Sequence, residues 1–597
     1  MAIYDDLGQL SADLATAISN LPATGGKIWI GAGTEEIATA VDLVDNLYIK
    51  GAGIDLTTLK ATASITAILQ SDGGVDNVII EDITIDVDSQ ASTAGIQLFN
   101  GASTEITFRR CKFKNTVGSW QLRVGYAAGS VGSPGSRSSN TGNLSTNIRV
   151  EDCIFDTHTT TTLEQAIFIN SEDVDVEGCV FQNNSTAASN LIVYAFSKNV
   201  RINDSWFNDP NTKAVTIQQS DFVNVTNCDL QDDGTNFIRC IDVVNCAQVV
   251  IEGNKFNGQG SAGSGSTGVA IFDATGATFE SGVYTALYQD SLNISVDDNS
   301  IDGMFQLLSC PNQTGVNNNE AQTHITCNNN NAGDLEGLLA DIGGTDNTGV
   351  KYVTIVGNTV NSFKGDDTGI IRVLGGAGGD VQHVVVSHNT APVSGQGGSN
   401  AYGILMDKVD DVIILGNDVE GKGSRAAITL TDDTNILIKD NQTNETGLSF
   451  AGTTGVVKDN IGTLGNIQEL ETIRMQNKQG ATINPGETVI LVSQAPGDRM
   501  SLTTTTADER VLGVAAETIA NDAYGHVHVR RGKITTMKVD GTIDIAIGDY
   551  LTPFTTGGIA RKASSGELAH AIAMEAYTTN DSNGVLDALV IEPRQAP

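Results

Sequence analysis

The sequence predicts an all-β protein: a right-handed, single-stranded parallel β-helix, closed at its start by a short helix and followed by a smaller β-domain. Three observations predict this. A short apolar pattern recurs through most of the chain, 65 of 597 residues are glycine, and the pattern stops about 135 residues before the end. We expect a capping helix over residues 1–24, the β-helix over 25–462 and a linker over 463–482. A C-terminal β-barrel or sandwich over 483–597 completes the prediction.

The first residues favour a helix that covers one end of a core. Their apolar side chains recur at helical spacing, at Leu7, Leu10, Leu14, Ile18 and Leu21. This start is acidic and lacks a continuous apolar run, so it does not resemble a secretory signal. No stretch of about 18 apolar residues follows that would predict a membrane span. We therefore expect synthesis in a cytoplasm.

An eight-residue motif organises the chain from Leu47 to Asn460. It reads apolar, any, apolar, any, turn residue, Cys or Asn, any, apolar. Examples are IRVEDCIF from Ile148, VVIEGNKF from Val249 and VTIVGNTV from Val353. Most copies follow one another after 19–31 residues, which suits one solenoid coil per copy.

The fifth motif position predicts a bend between two short strands. It is Gly, Asp or Asn in 12 of 14 copies, with Arg110 and His388 as exceptions. These residue types tolerate a left-handed backbone, which a straight strand does not require. Another short apolar run follows the motif, such as AIFI from Ala166. We therefore expect three parallel strands in each coil.

The sixth position is predicted to point into the bend and to form a ladder through the coils. The ladder residues are Cys111, Cys153, Cys179, Cys228, Asn254, Asn299, Asn330, Asn358, Asn389, Asn417 and Asn441, and the remaining copies carry Ile83, Ser205 and Asn460 at this position. Asn amides can bond to neighbours above and below, while Cys acts as a small apolar filler. Metal ligation by the four cysteines is the alternative. Eight cysteines without a CxxC pair favour neither a disulfide scaffold nor a metal site, and no cofactor is expected.

Two longer gaps between copies predict insertions at 118–145 and 258–291. Both are rich in Gly and Ser, and the first carries Trp120, Arg123 and Tyr126. Loops on a rigid scaffold often carry binding residues. Tolerated decoration without a function is the alternative.

The seventh position should face outward, and most copies are polar there. Three consecutive coils carry Ile154, Val180 and Trp206 instead. Such an apolar stripe could be covered by the first insertion, could bind a sugar through Trp206, or could contact another subunit around a threefold axis. With Trp120 and Tyr126, these residues are the predicted glycan-binding or subunit-interface set.

The opening LPATGGKIWIGAGTEEIATAVDLVDNLYIKGAGI, from Leu21 to Ile54, resembles the start of the pectate-lyase-like β-helix superfamily. With the repeats, the resemblance covers about residues 5–460 and implies the fold. It implies no single activity, because that superfamily includes lyases, hydrolases and inert virion spikes.

Enzymatic activity stays open, and the sequence leans against it. GDDTGI from Gly365 resembles the acidic motif of polygalacturonase-like glycosidases and makes Asp366 and Asp367 candidates. The family's NTD, GHG and RIK triplets do not follow at the right places. A lyase would use a basic residue, for which Arg239 and Arg372 are candidates.

The last part of the chain changes character. A helix-like segment, LGNIQELETIRMQNKQ from Leu464, precedes alternating strands such as ETVILV from Glu487 and the run GTIDIAIGDYLTPF from Gly541. The order GVA, V-x-V-x-x-x-G, I-x-x-GD-x-L, G-x-A resembles the small β-barrel of bacteriophage capsid cement and decoration proteins. A generic trimerising β-domain is the alternative.

The formal charge of −37 disfavours nucleic acids and anionic bilayers as partners. We therefore predict a structural bacteriophage protein made in the host cytoplasm and exposed on the virion surface. It would be a homotrimeric spike or fibre attached to the capsid through its C-terminal barrel, since the β-helix begins near Met1 without an N-terminal adaptor. Expected partners are other virion proteins, of the capsid or tail, and host-surface polysaccharide. The alternatives are a tailspike that depolymerises polysaccharide as a glycosidase or lyase, and a cellular carbohydrate-active enzyme.

Overall fold

The structure is a computed structural model and describes most of the chain. The described ranges are 1–5, 8–125, 143–159, 163–185, 189–194, 196–208, 212–231, 239–258, 266–272, 292–311, 322–343, 350–363, 369–375, 381–391, 402–421, 425–443, 448–451, 455–458, 460–462, 471–492, 499–505, 507–530 and 532–596. Residues 1–409 with 419–425 form one compact unit, and residues 410–418 with 426–597 form the other. Tyr126, Asp366 and Asp367 lie outside the described ranges.

The start of the chain contains less helix than its apolar spacing predicts. The helix spans Leu14–Ser19, and the side chain of Asp13 caps it by accepting a hydrogen bond from the Thr16 N–H at 2.7 Å. Before it, strands Ile3–Asp5 and Leu10–Ser11 pair with each other, and the first also pairs with Gly26–Ile30. The first residues of the predicted helix therefore form short strands instead, because Ile3–Asp5 pairs with the first strand of the β-helix.

The first unit confirms the parallel β-helix. Strands of successive coils pair in parallel and form three long sheets. Strands of the first sheet are Gly26–Ile30, Leu47–Lys50, Asp76–Asp86, Thr104–Thr116, Ser145–Glu151, Ser171–Glu177, Lys198–Asn203, Asp221–Thr226, Ala247–Glu252, Leu292–Asp297, Gln322–Asn328, Val350–Val356 and Val381–Ser387.

The second sheet follows each bend, and two early strands of the first sheet, Asp76–Asp86 and Thr104–Thr116, continue into it. Its other strands are Gly33–Ile37, Thr57–Ala61, Ile154–His158, Val180–Phe181, Trp206–Asn208, Asp229–Gln231, Lys255–Asn257, Ser300–Pro311, Asn331–Gly343, Thr359–Val360 and Thr390–Ala391.

The third sheet completes each coil, and the ends of Ser300–Pro311 and Asn331–Gly343 also belong to it. Its other strands are Val41–Asp42, Ala67–Asp72, Ala94–Phe99, Leu122–Val124, Ala166–Ile169, Ser189–Tyr194, Lys213–Gln218, Arg239–Val244, Thr267–Phe272, Gly369–Leu374 and Tyr402–Asp407. Two of these strands lie inside the predicted insertions 118–145 and 258–291. Each long gap therefore contains a regular third strand, and the extra residues are fewer than predicted.

The bend predicted from the fifth motif position is present. Its residues have φ of about +50° to +70°, and the two exceptions, Arg110 and His388, adopt φ of 50° and 55° like the rest. A second left-handed position, directly before the motif, was not predicted. It recurs at Asn46, Asn77, Glu105, Asn147, Asp173, Asn199, Phe222, Gln248, Asn293, His324, Tyr352, His383, Asp411 and Asn435.

The interior is built from stacked identical side chains. At the sixth position, successive Asn amides are joined by Nδ2–H to Oδ1 hydrogen bonds of 2.8–3.1 Å, from Asn254 through Asn299, Asn330 and Asn358 to Asn389. Each Oδ1 also accepts the backbone N–H of the preceding ladder residue, as in Asn299 to Asn330 at 2.9 Å. Cys111, Cys153, Cys179 and Cys228 are buried at the same position in earlier coils. Beside them the rings of Phe113, Phe155, Phe181 and Phe207 stack with centroids 4.5–4.9 Å apart.

The second unit begins with coils of the same kind. Strands Val409–Leu415, Ile436–Lys439 and Gly455–Lys458 stack in parallel, as do Ile428–Thr431 with Leu448–Ala451 and Gln442–Thr443 with Ile461–Gly462; the remaining short strand is Asp418–Val419. The ladder continues within this unit from Asn417 through Asn441 to Asn460.

Two closed five-stranded barrels follow, where the sequence predicted one domain. The first comprises Glu471–Asn477, Thr488–Leu491, Arg499–Leu502, Val511–Ala515 and Tyr524–Arg530. The second comprises Gly532–Asp540, Tyr550–Pro553, Ala560–Lys562, Leu568–Ala573 and Gly584–Gln595. Glu471–Asn477 lies within the predicted linker and the helix-like segment. An antiparallel partner, Tyr524–Arg530, pairs with it along its length and holds it as a strand.

The barrels are two copies of one fold. Both have the strand order first, third, second, fourth, fifth, with only the first–third pair parallel. The bridge between Ile483 and Ile519 in the first recurs between Ile545 and Tyr577 in the second. In the turn after Ile483, Glu487 accepts the Asn484 N–H at 2.8 Å, as Asp549 accepts the Ala546 N–H at 2.7 Å. This shared detail indicates an internal duplication. Among all the described residues, no helix is long and apolar enough to span a membrane.

Candidate functional site

The outward side of the third sheet holds a partly buried cluster of charged and aromatic side chains, here called the charged face. In the strands from Leu122–Val124 to Thr267–Phe272, inward and outward residues alternate. The outward residues of successive strands align in two columns. The members of one column are Arg123, Ile167, Ile192, Thr216, Asp242 and Ala270. The other column includes Ser189, Lys213, Arg239 and Thr267. Glu164 and Trp120 lie two residues before the strands Ala166–Ile169 and Leu122–Val124 of the preceding coils.

Trp120 anchors one end of the charged face. Its indole Nε1–H donates to Glu164 Oε2 at 3.1 Å, and its ring lies 4.7 Å from the guanidinium carbon of Arg123. The ring also packs against a buried apolar cluster that includes Ile167, Ile192 and others. Burial raises the pKa of the half-buried Glu164 carboxyl, although the Trp120 N–H and the charge of Lys213 favour the ionised form.

Asp242 lies at the other end and is only 2% exposed. Lys213 Nζ approaches its Oδ2 at 2.9 Å, and Arg239 Nε approaches its Oδ1 at 3.2 Å. Burial raises the pKa of Asp242, and the two cations oppose that effect. A buried carboxylate is stabilised here by two cations, Arg239 of its own strand and Lys213 of the adjacent coil.

Arg372, a predicted lyase candidate, lies farther along the same sheet. Its Nε and Nη2 donate to Asp341 Oδ1 and Oδ2 at 2.8 and 2.7 Å, and this pairing raises the pKa of Arg372 further. Asp341 is its partner on the adjacent coil. A bidentate pair of this kind fixes the orientation of the guanidinium. Such a group is a poor proton acceptor.

These groups do not form the pair that glycoside hydrolysis requires. Catalytic carboxyls lie about 5–9.5 Å apart in glycosidases. Glu164 and Asp242 are on coils three steps apart, which at about 4.8 Å per step places them about 14 Å apart along the stack. The charged face therefore suits recognition through fixed charges and an indole edge better than it suits proton transfer.

The predicted stripe of Ile154, Val180 and Trp206 lies in register on the second sheet. Polar Lys112 and Asp229 flank it in the same column. Trp206 is 37% exposed, and the other two are half-buried. Trp120 belongs to the third sheet, so the predicted binding set divides between two faces.

Sequence reasoning missed Glu164, Lys213 and Asp242. Lys213 and Arg239 lie two residues before the inward residues Val215 and Ile241 of their third strands, and Asp242 lies one residue after Ile241. An alignment of the third strands with one another, like that of the motif copies, would have placed these charges in the two outward columns.

No protein-family model matches the chain, and no curated protein matches it. Several solved structures do. The tailspike protein of E. coli bacteriophage HK620, solved with a pentasaccharide, is 12% identical with a TM-score of 0.43, covering 88% of this chain and 91% of that one. PfbA, a surface adhesin of Streptococcus pneumoniae, is 10% identical with a TM-score of 0.37, covering 75% and 88%. ORF18 of Geobacillus virus E2 is 15% identical with a TM-score of 0.31 and covers 48% of this chain, which spans 56% of that protein. None of the three carries the functional conclusions below.

Proposed function

We propose that the chain is a structural protein of a bacteriophage particle, a trimeric surface spike or fibre that contacts host-surface glycans without cleaving them. The observation that carries this proposal is the pairing on the charged face. Lys213, Arg239 and Arg372 are each bound to a carboxylate of their own or the next coil. Such cations present fixed charge to a ligand and are poorly suited to accept a proton.

The coils themselves support a structural role. Stacked rings and hydrogen-bonded amides give a parallel solenoid in which the buried ladder amides, such as those of Asn299 and Asn330, have partners. Outward side chains of such a scaffold are held in fixed columns. A glycan-contacting surface gains from this rigidity because less side-chain freedom is lost on binding.

The apolar stripe supports trimerisation. Isoleucine, valine and tryptophan side chains aligned on successive coils form the kind of exposed surface that monomers seldom keep in water. A column parallel to the stack suits side-by-side packing of subunits around a threefold axis.

Attachment through the C-terminal barrels to the capsid follows from their resemblance to cement and decoration proteins. Electron microscopy of particles with gold-labelled antibody against the barrels tests this. Label over the head supports capsid attachment. Label at a few sites below the tail supports the tailspike alternative instead.

One observation favours that alternative, a polysaccharide depolymerase. The Glu164 carboxyl has a pKa raised by burial and lies against an indole, as a general acid would. Cleavage that disappears in Glu164→Gln but persists in Glu172→Gln, a carboxylate on the first sheet, would support it. We expect no cleavage by the parent protein or by either variant.

A further inference from the structure

A groove crosses the outer face of the first sheet, on the coils from Ser171–Glu177 to Ala247–Glu252. Its volume is about 430 Å³, and it is lined by Asp173, Asp175, Asn199, Arg201, Phe222, Asn224, Gln248 and Val250. An adjoining hollow of about 330 Å³ shares Asp175, Arg201 and Asn224 and extends to Glu177. Together they span four coils of a face that none of the predicted sites occupies.

The groove follows from the register of the strands. Asp175, Arg201, Asn224 and Val250 align in one outward column. The side chains of Asn224 and Val250 are shorter than that of the neighbouring Arg201, which leaves a hollow beside the guanidinium.

An exposed aromatic ring borders the groove where the backbone disfavours one. Phe222 has φ of 53°, in the left-handed position that Asn or Asp occupies in most other coils, and it is 41% exposed. Lys198 Nζ lies 5.6 Å from the ring centroid. A bulky residue in this conformation is a reason to look for a role beyond folding.

The polar groups around the ring are partly fixed and partly available. Arg201 donates to both oxygens of Asp175 at 2.5 and 2.7 Å, which fixes its guanidinium plane. Within the described ranges, no residue hydrogen-bonds the side-chain amides of Asn224 or Gln248. Each free amide offers two N–H donors and a carbonyl acceptor.

We propose that this groove binds a neutral glycan. The Phe222 face would pack on the apolar side of a sugar ring, and the amides of Asn224 and Gln248 would bond its hydroxyls. Three lining carboxylates, of Asp173, Asp175 and Glu177, outnumber the two cations, Arg201 in the lining and Lys198 beside the Phe222 ring, and this disfavours acidic sugars. This inference deepens the glycan contact in the proposed function and rests on it.

The test is calorimetric titration of the full chain with neutral oligosaccharides of glucose, galactose, mannose and N-acetylglucosamine, and with uronate-containing and sialylated ones. We expect a neutral oligosaccharide to bind, and Phe222→Ala and Asn224→Ala each to weaken it at least tenfold. Tyr352→Ala is the matched control, since Tyr352 is 46% exposed at the same left-handed position outside the groove. Glu177→Gln should improve binding of acidic oligosaccharides, since it removes one of the lining negative charges.

The outcomes separate the two proposals. If neutral oligosaccharides bind the Phe222→Ala and Asn224→Ala variants as they bind the parent, the groove is not the binding site. Glycan contact at another surface of the chain is not contradicted by that result. Preference of the parent for acidic oligosaccharides overturns the assignment of the ligand class. Binding of none of these probes overturns the groove and the glycan contact together, while trimerisation and virion attachment are unaffected.

Discussion

The coils before and after residue 240 fill the same bend in two different ways. Earlier coils place mostly Cys at the sixth position, with Ser205 in one coil, beside stacked Phe rings, whereas later coils place a hydrogen-bonded row of Asn amides there. Their outer surfaces differ as well. The stripe, three of the four coils of the groove and most of the charged face lie on the earlier coils. The fold therefore accepts Cys, Ser or a row of Asn amides at one position, and most of the surface features proposed for binding lie on the coils before the Asn row.

Removing a ring from the Phe stack should have the largest effect on stability. Phe181 is fully buried between Phe155 and Phe207. Phe181→Ala should lower the free energy of unfolding by about 3–5 kcal/mol, because it leaves a cavity that rigid coils cannot close. Guanidinium unfolding followed by circular dichroism measures this. A loss below about 1 kcal/mol would show that the stack is not a principal source of stability.

Interrupting the amide row should cost less. Asn330 donates to Asn358 at 2.9 Å and accepts from Asn299 at 3.0 Å. Asn330→Leu should lower the free energy of unfolding by about 1–3 kcal/mol, since both neighbours lose a buried partner. Ser300→Leu, an exposed substitution on the adjacent coil, is the control. Equal losses in the two variants would refute the role given to the row.

Acid should weaken the earlier coils through His158. This ring is fully buried and lies 2.7 Å from the Ser119 carbonyl oxygen, and burial lowers its pKa below the ordinary 6.5. The unfolded chain therefore binds a proton that the folded chain does not, and stability falls as the pH drops below about 6.5. The slope attributable to His158 is at most about 1.4 kcal/mol per pH unit.

Melting temperatures between about pH 8 and pH 5 test this. The decline should be shallower in His158→Gln than in the parent. The exposed control His324→Gln should decline as the parent does. A parallel decline in all three proteins would remove His158 as the cause.

The stripe should affect assembly while changing stability least. Val180→Asp combined with Trp206→Lys places opposite charges on adjacent coils of an exposed column. We expect light scattering to give the mass of one chain instead of three, with an unchanged dichroism spectrum. The control carries Asp and Lys at Thr359 and Thr390, which pair in the same column of later coils. A trimer that survives in the stripe variant would place the interface elsewhere.

The parts of this structure that repeat were predictable from the sequence, and the parts that depend on alignment between distant strands were not. The fifth-position bend could be predicted because Asp152 and Gly178 are residue types that the backbone itself requires. Lys213 and Asp242 were not predicted, because no motif had been defined for the third strands. The left-handed residues that follow these two strands, Gln219 and Asn245 with φ of 52° and 50°, occupy equivalent positions in the structure.

The duplication of the barrel leaves a repeat in the sequence, but it was not predicted. Ile483 and Gly486 recur as Ile545 and Gly548 at equal spacing, and both glycines have positive φ, 81° and 89°. Between these anchors the two copies differ at most positions, so the strands look like one long domain. The groove depended on Phe222, whose left-handed conformation is unusual for a phenylalanine and has no sequence signal.

The most direct test of the account is to measure binding and cleavage in one sample. The purified chain is incubated with a polysaccharide that it binds, and bound glycan and new reducing ends are followed together over hours. We expect saturable binding with no increase in reducing ends and no shortening of the polysaccharide. Reducing ends that accumulate in proportion to the protein would contradict a structural, glycan-contacting role and establish a depolymerase.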